Sequence, residues 1–377
     1  MKSTLAHYYL KLKKAFPAIF FFGGFFLDVA TMGQFISNLD LFLLLFYIVV
    51  AGAILLVMGR RGDPQGALPS EPGEENEHVQ NIHSQKQSRF QKIKHWVRTE
   101  GLLFGLQFCY GSLFSALSIF YFLSSSYLPS FFIVIALAIL LCLNEFLESH
   151  YHRFTLTWTL YGLCTILYLN FALPHLFHSI ASIWFFISTA LGVTLIFILK
   201  KYSTHAKGSI WPVTAVGIIL VLLYLGNAIP PVPLVKKEMI ICRDLVKQGT
   251  VYSARIEKPA WWFFWRKTET NARIAPGEKL FCFTSIFLPA GIDCKLYHKW
   301  MYYDDHKKSW VETSRMGFFI SGGRLHGFRG YTYKQKLTPG EWQVKVETET
   351  GRVLGDIHFN VEVITDYPLE YKNLQLE

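Results

Sequence analysis

Seven apolar stretches crowd the first 227 residues, near 16–34, 39–58, 101–123, 128–147, 154–173, 177–199 and 209–227. About 20 apolar residues in a helix cross a hydrocarbon core of roughly 30 Å. Inside that core only helices and closed barrels satisfy their own backbone. A chain with so many such stretches predicts a helical membrane bundle of about seven spans over residues 1–233. Composition agrees: 17% of residues are charged, against about 25% in soluble chains. An ordinary cytosolic enzyme and a disordered chain are both excluded.

Basic residues set the threading. Before Leu234 they fall at the N-terminus (Lys2, Lys11, Lys13, Lys14) and after the second, fourth and sixth spans (Arg60 to Arg98, Arg153, and Lys200, Lys201 and Lys207). The other connections carry none. Cytoplasmic loops are the ones that collect Lys and Arg, so the N-terminus is expected inside and the C-terminal part outside. The first span lacks a small-residue cleavage site and reads as a retained anchor. The polar connection 62–87 has too little apolar surface to order itself and is expected to be flexible. Residues 88–98 read either as an amphipathic helix on the inner leaflet or as an extension of the third span.

From Leu234 the hydrophobic period becomes two. Trp342, Val344 and Val346 alternate with Gln343, Lys345 and Glu347. Strands are also expected at 251–257, 279–287, 295–304, 309–320, 328–337 and 353–363, with turn signals between them. Seven short strands predict an antiparallel β-sandwich over residues 234–377, immunoglobulin- or fibronectin-like. The prolines of Asn227-Ala-Ile-Pro-Pro-Val-Pro-Leu234 predict a stiff extended connection that keeps the sandwich near the membrane.

The run GGRLHGFRGYTYKQKLTPGEWQVKVETETGRVLGDIHFNVEV, with KLYHKWMYY before it, resembles the bacterial domain of unknown function 2914. FFGGFFLDVATMGQFISNLDLFLLLFYIVVAG and NAIPPVPL look like the membrane portion that precedes it. The resemblance implies a bacterial inner-membrane protein with an exported tail, and it implies no activity.

Candidate sites are few. Asp28 is a carboxylate within the first span, which is costly there unless paired or wet; it reads as a relay, a packing contact or a headgroup-level residue. Trp261, Trp262, Trp265 and Arg266 form an aromatic, basic run that fits a loop dipping into the outer leaflet, a platform for a glycan or partner, or core filling. Arg324, His326 and Arg329 lie in a glycine-rich turn. They can bind an anionic group or simply close a hairpin. Glu145, Glu148 and His152 share a helix face and offer a weak metal site; solvated helix-end groups are the plainer reading. The six cysteines show no C-x-x-C spacing, although a Cys282–Cys294 bridge is open to an exported tail. No cofactor is expected. The net charge of +10 is spread evenly between the two parts, so no nucleic-acid partner is expected. Gly101 and Gly105 form a close-packing pair that also permits a homodimer.

Two function classes follow. In the first, the exported sandwich is a non-enzymatic anchor or scaffold that binds an envelope protein, a glycan or a lipid headgroup. In the second, the bundle is a transporter or an enzyme of a lipid-linked substrate and the sandwich is accessory. The shortage of intramembrane ionisable groups favours the first.

Overall fold

The computed structural model describes residues 37–61, 82–124, 131–146, 154–203, 208–249, 251–258, 267–268, 270–324, 327–364 and 370–376. Six helices precede eleven strands among them. The helices are α1 (Asn38–Arg61), α2 (Ile82–Ser124), α3 (Phe131–Phe146), α4 (Phe154–Leu176), α5 (Ile183–Lys201) and α6 (Trp211–Leu225).

Among the described residues four helical segments are long and apolar enough to cross a membrane: Asn38–Arg60, Gly105–Ser124, Phe154–Leu176 and Ile183–Lys201. Seven spans are therefore not shown among the described residues. The first expected span lies outside the described residues. The described part of α3 is bounded on both sides by residues outside the described set, and at 1.5 Å per residue α6 reaches only about 22 Å, short of the bilayer core. Hydropathy windows cannot see where the backbone stops being helical. Pro212 opens α6 in its first turn and Gly226 caps it, which cuts the apolar stretch at both ends. The third span extends backwards as one continuous helix from Ile82. Residues 82–87 are thus helical, contrary to the flexible reading of 62–87, and 62–81 lie outside the described residues.

The helices bury one stripe and leave the opposite face apolar. In α1, Leu41, Leu44, Ile48, Ala51, Leu55 and Met58 are buried, while Leu39, Phe42, Leu45, Phe46 and Val49 are exposed. An exposed row of Phe and Leu is compatible with a lipid surround and costly in water. α4 is the hub, touching α1, α2, α5 and α6. Gly162 faces Val213, and Gly192 faces Ile166. Gly105 of the expected close-packing pair sits against Ile54 within the same chain.

The strands form three sheets. The first has the order β1 (Val235–Cys242), β5 (Leu280–Phe287), β8 (Phe328–Lys334). The second runs β4 (Asn271–Ile274), β10 (Val353–Val363), β9 (Gly340–Thr348), β6 (Asp293–Asp304), β7 (Ser309–Ser321). The third is β11 (Tyr371–Leu376), β3 (Val251–Glu257), β2 (Asp244–Gln248). The first sheet is the middle layer. Its Met239, Ile241, Cys282 and Ile286 join Leu296, Trp300, Trp342, Val344 and Phe359 of the second sheet in one core. Its other face, Ile240, Cys242 and Phe283, packs on Ala254, Ile256 and Leu376 of the third.

Two expectations are corrected here. A two-layer antiparallel sandwich becomes three layers, and β4 lies parallel to β10, so the second sheet is mixed. The Cys282–Cys294 bridge is not formed, since both are free thiols. Burial pushes each up to about 12, which leaves little reactive thiolate.

The connection to the bundle also differs from a stiff extended strand. Val232 N–H donates to the Pro230 carbonyl at 2.9 Å and Leu234 N–H to that of Pro231 at 3.1 Å, so the prolines fold into turns. Val232 packs on the bundle core and Leu234 lies in the sheet core.

Candidate functional site

The end of the sheet domain that meets the helices is built from three hairpin tips. The first is the β9–β10 turn, where Arg352 N–H donates to Thr348 Oγ1 at 3.2 Å and Gly351 takes φ +80°. This turn aims Arg352 at α6. Its guanidinium carbon lies 3.3 Å from the centroid of the Tyr224 ring, and that ring stacks on Phe185 with centroids 3.8 Å apart. Nη1 donates to the Tyr224 carbonyl at 2.7 Å and to Asn227 Oδ1 at 3.3 Å. The Tyr224 carbonyl lies in the last helical turn, which carries partial negative charge, and it also accepts from Asn227 N–H at 3.1 Å. A cation is the chemically fitting cap.

The second tip is the β5–β6 connection, where Gly291 lies against the His178 ring. Ile180, on the α4–α5 connection, reaches the sheet core. The third tip is the glycine-rich β7–β8 turn. Gly322 N–H donates to the Ile292 carbonyl at 2.8 Å and Gly323 N–H to that of Leu288 at 3.0 Å. No Cβ fits at Gly322, since it would meet the Pro289 carbonyl. The backbone thus requires glycine there whatever else the turn does.

Replacing Arg352 removes the ring contact and both hydrogen bonds. Arg352→Ala is expected to cost about 2 kcal/mol at the junction. Faster proteolysis between the bundle and β1 in detergent-solubilised protein is the readout. Arg352→Lys keeps the charge, loses the planar stack, and should be nearly as sensitive.

Basic side chains collect at this same end. Arg329, near the start of β8, pairs across the ladder with Ser285. Its charge, after burial, holds the nearby Lys237 ammonium below the usual lysine range. Lys267 lies 3.4 Å from Glu238, and the Arg324 guanidinium sits 5.0 Å from the Phe328 centroid. Of the residues singled out from the sequence, Arg324 and Arg329 are therefore brought to the bundle-facing end. Trp261, Trp262, Trp265, Arg266, His326, Asp28, Glu148 and His152 lie outside the described residues. Glu145 is in the last turn of α3. Among the described residues no group of three His, Cys, Asp or Glu is placed to hold a metal.

Two buried polar clusters went unread in the sequence. His298 is fully buried between the first two sheets. Its Nε2 lies 2.6 Å from Thr284 Oγ1 and its Nδ1 2.9 Å from Thr332 Oγ1. Trp300 Nε1 donates to the same Thr332 hydroxyl at 3.1 Å. One assignment satisfies every atom: the indole donates to Thr332, Thr332 donates to Nδ1, and Nε2–H donates to Thr284. That is a neutral imidazole, and burial pushes its pKa down to about 3. A histidine in step with the inward-facing Leu296 and Trp300 was the available signal.

The other cluster is centred on Arg243, whose side chain is 2% exposed. It lies 3.7 Å from Glu257 and 3.5 Å from Glu278, and it donates to Tyr371 Oη at 3.1 Å. Arg273 also pairs with Glu257. The cluster ties β1 to β3, β4 and β11, and so joins all three sheets.

In the bundle, α3, α4 and α6 leave a cavity of about 250 Å³ lined by Phe132, Leu140, Leu163, Ile219 and other apolar side chains. It offers no polar group to a substrate.

Comparison with known proteins adds the following. No curated protein sequence matches the chain. Among solved structures, an immunoglobulin-like protein from Pseudomonas aeruginosa is similar at 12% identity, over 33% of this chain and 97% of that one, with a TM-score of 0.20. A Listeria innocua β-glucosidase in complex with gluconolactone is similar at 10% identity over 31% of this chain, with a TM-score of 0.19, and only 17% of its own length is covered. An alkylpurine DNA glycosylase from Pseudomonas fluorescens, bound to DNA containing an abasic site analogue, is 11% identical over 70% of this chain and 81% of that one, with a TM-score of 0.21. Likenesses this slight carry no argument about chemistry. The family finding is narrower and firmer: residues 293–361, from β6 to β10, match the family described as protein of unknown function DUF2914.

Proposed function

We propose that the chain is a bacterial inner-membrane anchor with its N-terminus in the cytoplasm. Its sheet domain stands outside, held against the membrane surface, where it binds anionic lipid headgroups without catalysing a reaction. The observation that carries this reading is the gathering of Lys237, Arg324 and Arg329 at the end of the domain that docks on the helices. Burial, and after it the charge of Arg329, hold the Lys237 ammonium below the usual lysine range. A phosphate there would relieve the repulsion and accept charge-assisted hydrogen bonds. Each basic group near an anionic surface contributes about 1 kcal/mol. Among the described residues the cavity between α3, α4 and α6 is wholly apolar, which fits an anchor more than a transporter built around it.

Reconstitution in nanodiscs tests this. The protein should unfold at a higher temperature in phosphatidylglycerol than in phosphatidylcholine. Arg324→Glu with Arg329→Glu should remove most of that difference. Equal midpoints in both lipids for the unaltered protein would refute the headgroup reading.

A further inference from the structure

The third sheet covers β1 and part of β5 but leaves β8 open. On that open face lie Tyr331 and Tyr333, each 47% exposed. They belong to a continuous row. Tyr252 of β3 meets Tyr331 with centroids 6.3 Å apart. Tyr331 meets Phe281 at 6.3 Å, and Phe281 meets Tyr333 at 5.6 Å. A lysine closes each end. Lys247 Nζ is 5.8 Å from the Tyr252 centroid and Lys279 Nζ 5.0 Å from that of Tyr333. Among the described residues neither lysine has a carboxylate within ion-pair distance, whereas Lys258, Lys267, Lys299 and Lys307 each do.

We infer that this row is a binding site for an acidic glycan. Aromatic rings set one after another at about the length of a sugar residue offer π faces to the C–H-rich faces of pyranoses. The tyrosine hydroxyls are hydrogen-bond donors and acceptors for sugar hydroxyls. The two unpaired ammonium groups select carboxylate- or phosphate-bearing sugars by charge complementarity. Single-stranded nucleic acid also stacks on rings, but it needs cations along its whole backbone track. Here the described cations beside the rings are Lys247 and Lys279 at the two ends and Arg329, which shares the face of Tyr331 along β8. Tyr252 and Phe281 pack partly on the core between the first and third sheets, which fixes the row, while Tyr331 and Tyr333 stay exposed and available. The inference goes beyond the headgroup reading, because its rings and its two end lysines include neither Lys237 nor Arg324.

Affinity electrophoresis of the full chain in mild detergent tests it, with polygalacturonate, dextran or oligothymidylate in the gel. Polygalacturonate should retard the protein, and dextran should retard it much less. Tyr331→Ala with Tyr333→Ala should weaken retardation at least tenfold. Lys247→Ala with Lys279→Ala, which touches no packed ring core, should weaken it at least fivefold and abolish its salt dependence. Arg324→Glu alone, in the β7–β8 turn, should leave it intact, which separates this site from the headgroup site. The inference is overturned by any of three results: no retardation by polygalacturonate, retardation by oligothymidylate alone, or lysine and tyrosine variants that both migrate as the unaltered protein does.

Discussion

Acidification from pH 6.5 towards 3 is expected to strip the sheet domain of stability, by about 5 kcal/mol from one side chain. His298 is neutral in the folded state with a pKa near 3, whereas an unfolded histidine titrates near 6.5. Between those values the unfolded chain binds a proton that the folded chain refuses. The contribution is therefore complete above pH 6.5, falls by about 1.4 kcal/mol per pH unit below it, and is spent near pH 3. The cause is burial: His298 is surrounded by Thr284, Thr332 and aromatic rings, with no carboxylate to stabilise an imidazolium. His298→Gln keeps a donor and an acceptor at similar reach but cannot titrate. Denaturant unfolding at pH 4, 5, 6 and 7 should show a shallower pH dependence for the variant, even if its stability at pH 7 is lower. Parallel curves for both proteins would show that His298 is not the group that refuses the proton.

Arg243→Ala should cost about 3 kcal/mol or more, since removing one partner of a buried ion pair strands the other. Glu257 would keep Arg273, while Glu278 and Tyr371 Oη would lose their shared donor. A double change with Glu257→Gln should cost less than the two single changes added together, because the sites are in contact. Strict additivity would mean that the arginine acts only through its packing. Because Arg243 touches residues of β3, β4 and β11, its loss should also loosen the third sheet first. Hydrogen exchange should rise in β2, β3 and β11 before it rises in β6 or β9.

Much of the architecture could be read from residue order, and the misses have physical causes. β3 was expected with its exact bounds, and β5 to β10 to within a few residues, because each has one wet face or a turn signal beside it. β1 escaped because both of its faces are buried, so Met239 to Cys242 runs apolar without alternation. β2 and β11 are polar edge strands with little pattern to find. In β10 the alternation breaks at the register shift between Val353 and Gly355, which turns Leu354 inward. The seventh expected span is shorter as a helix because apolar composition continues past the points where Pro212 and Gly226 bound α6.

Sites were harder than elements. The glycine-rich turn marks Arg324 and Arg329 in the sequence, and the fold sets them at the bundle-facing end. Arg352 gave no signal, because its role depends on Tyr224, which is distant in sequence. The ring row was equally hidden: Tyr252, Phe281, Tyr331 and Tyr333 come from three strands of two sheets. Their shared face exists only once the third sheet has left β8 uncovered.

The account stands on the sheet domain lying outside the cytoplasm against the membrane. Asp305, exposed in the β6–β7 turn, offers a direct test as Asp305→Cys. A membrane-impermeant maleimide should label that thiol in intact spheroplasts, before any lysis. Labelling that appears only after the membrane is broken would place the domain in the cytoplasm and contradict the account.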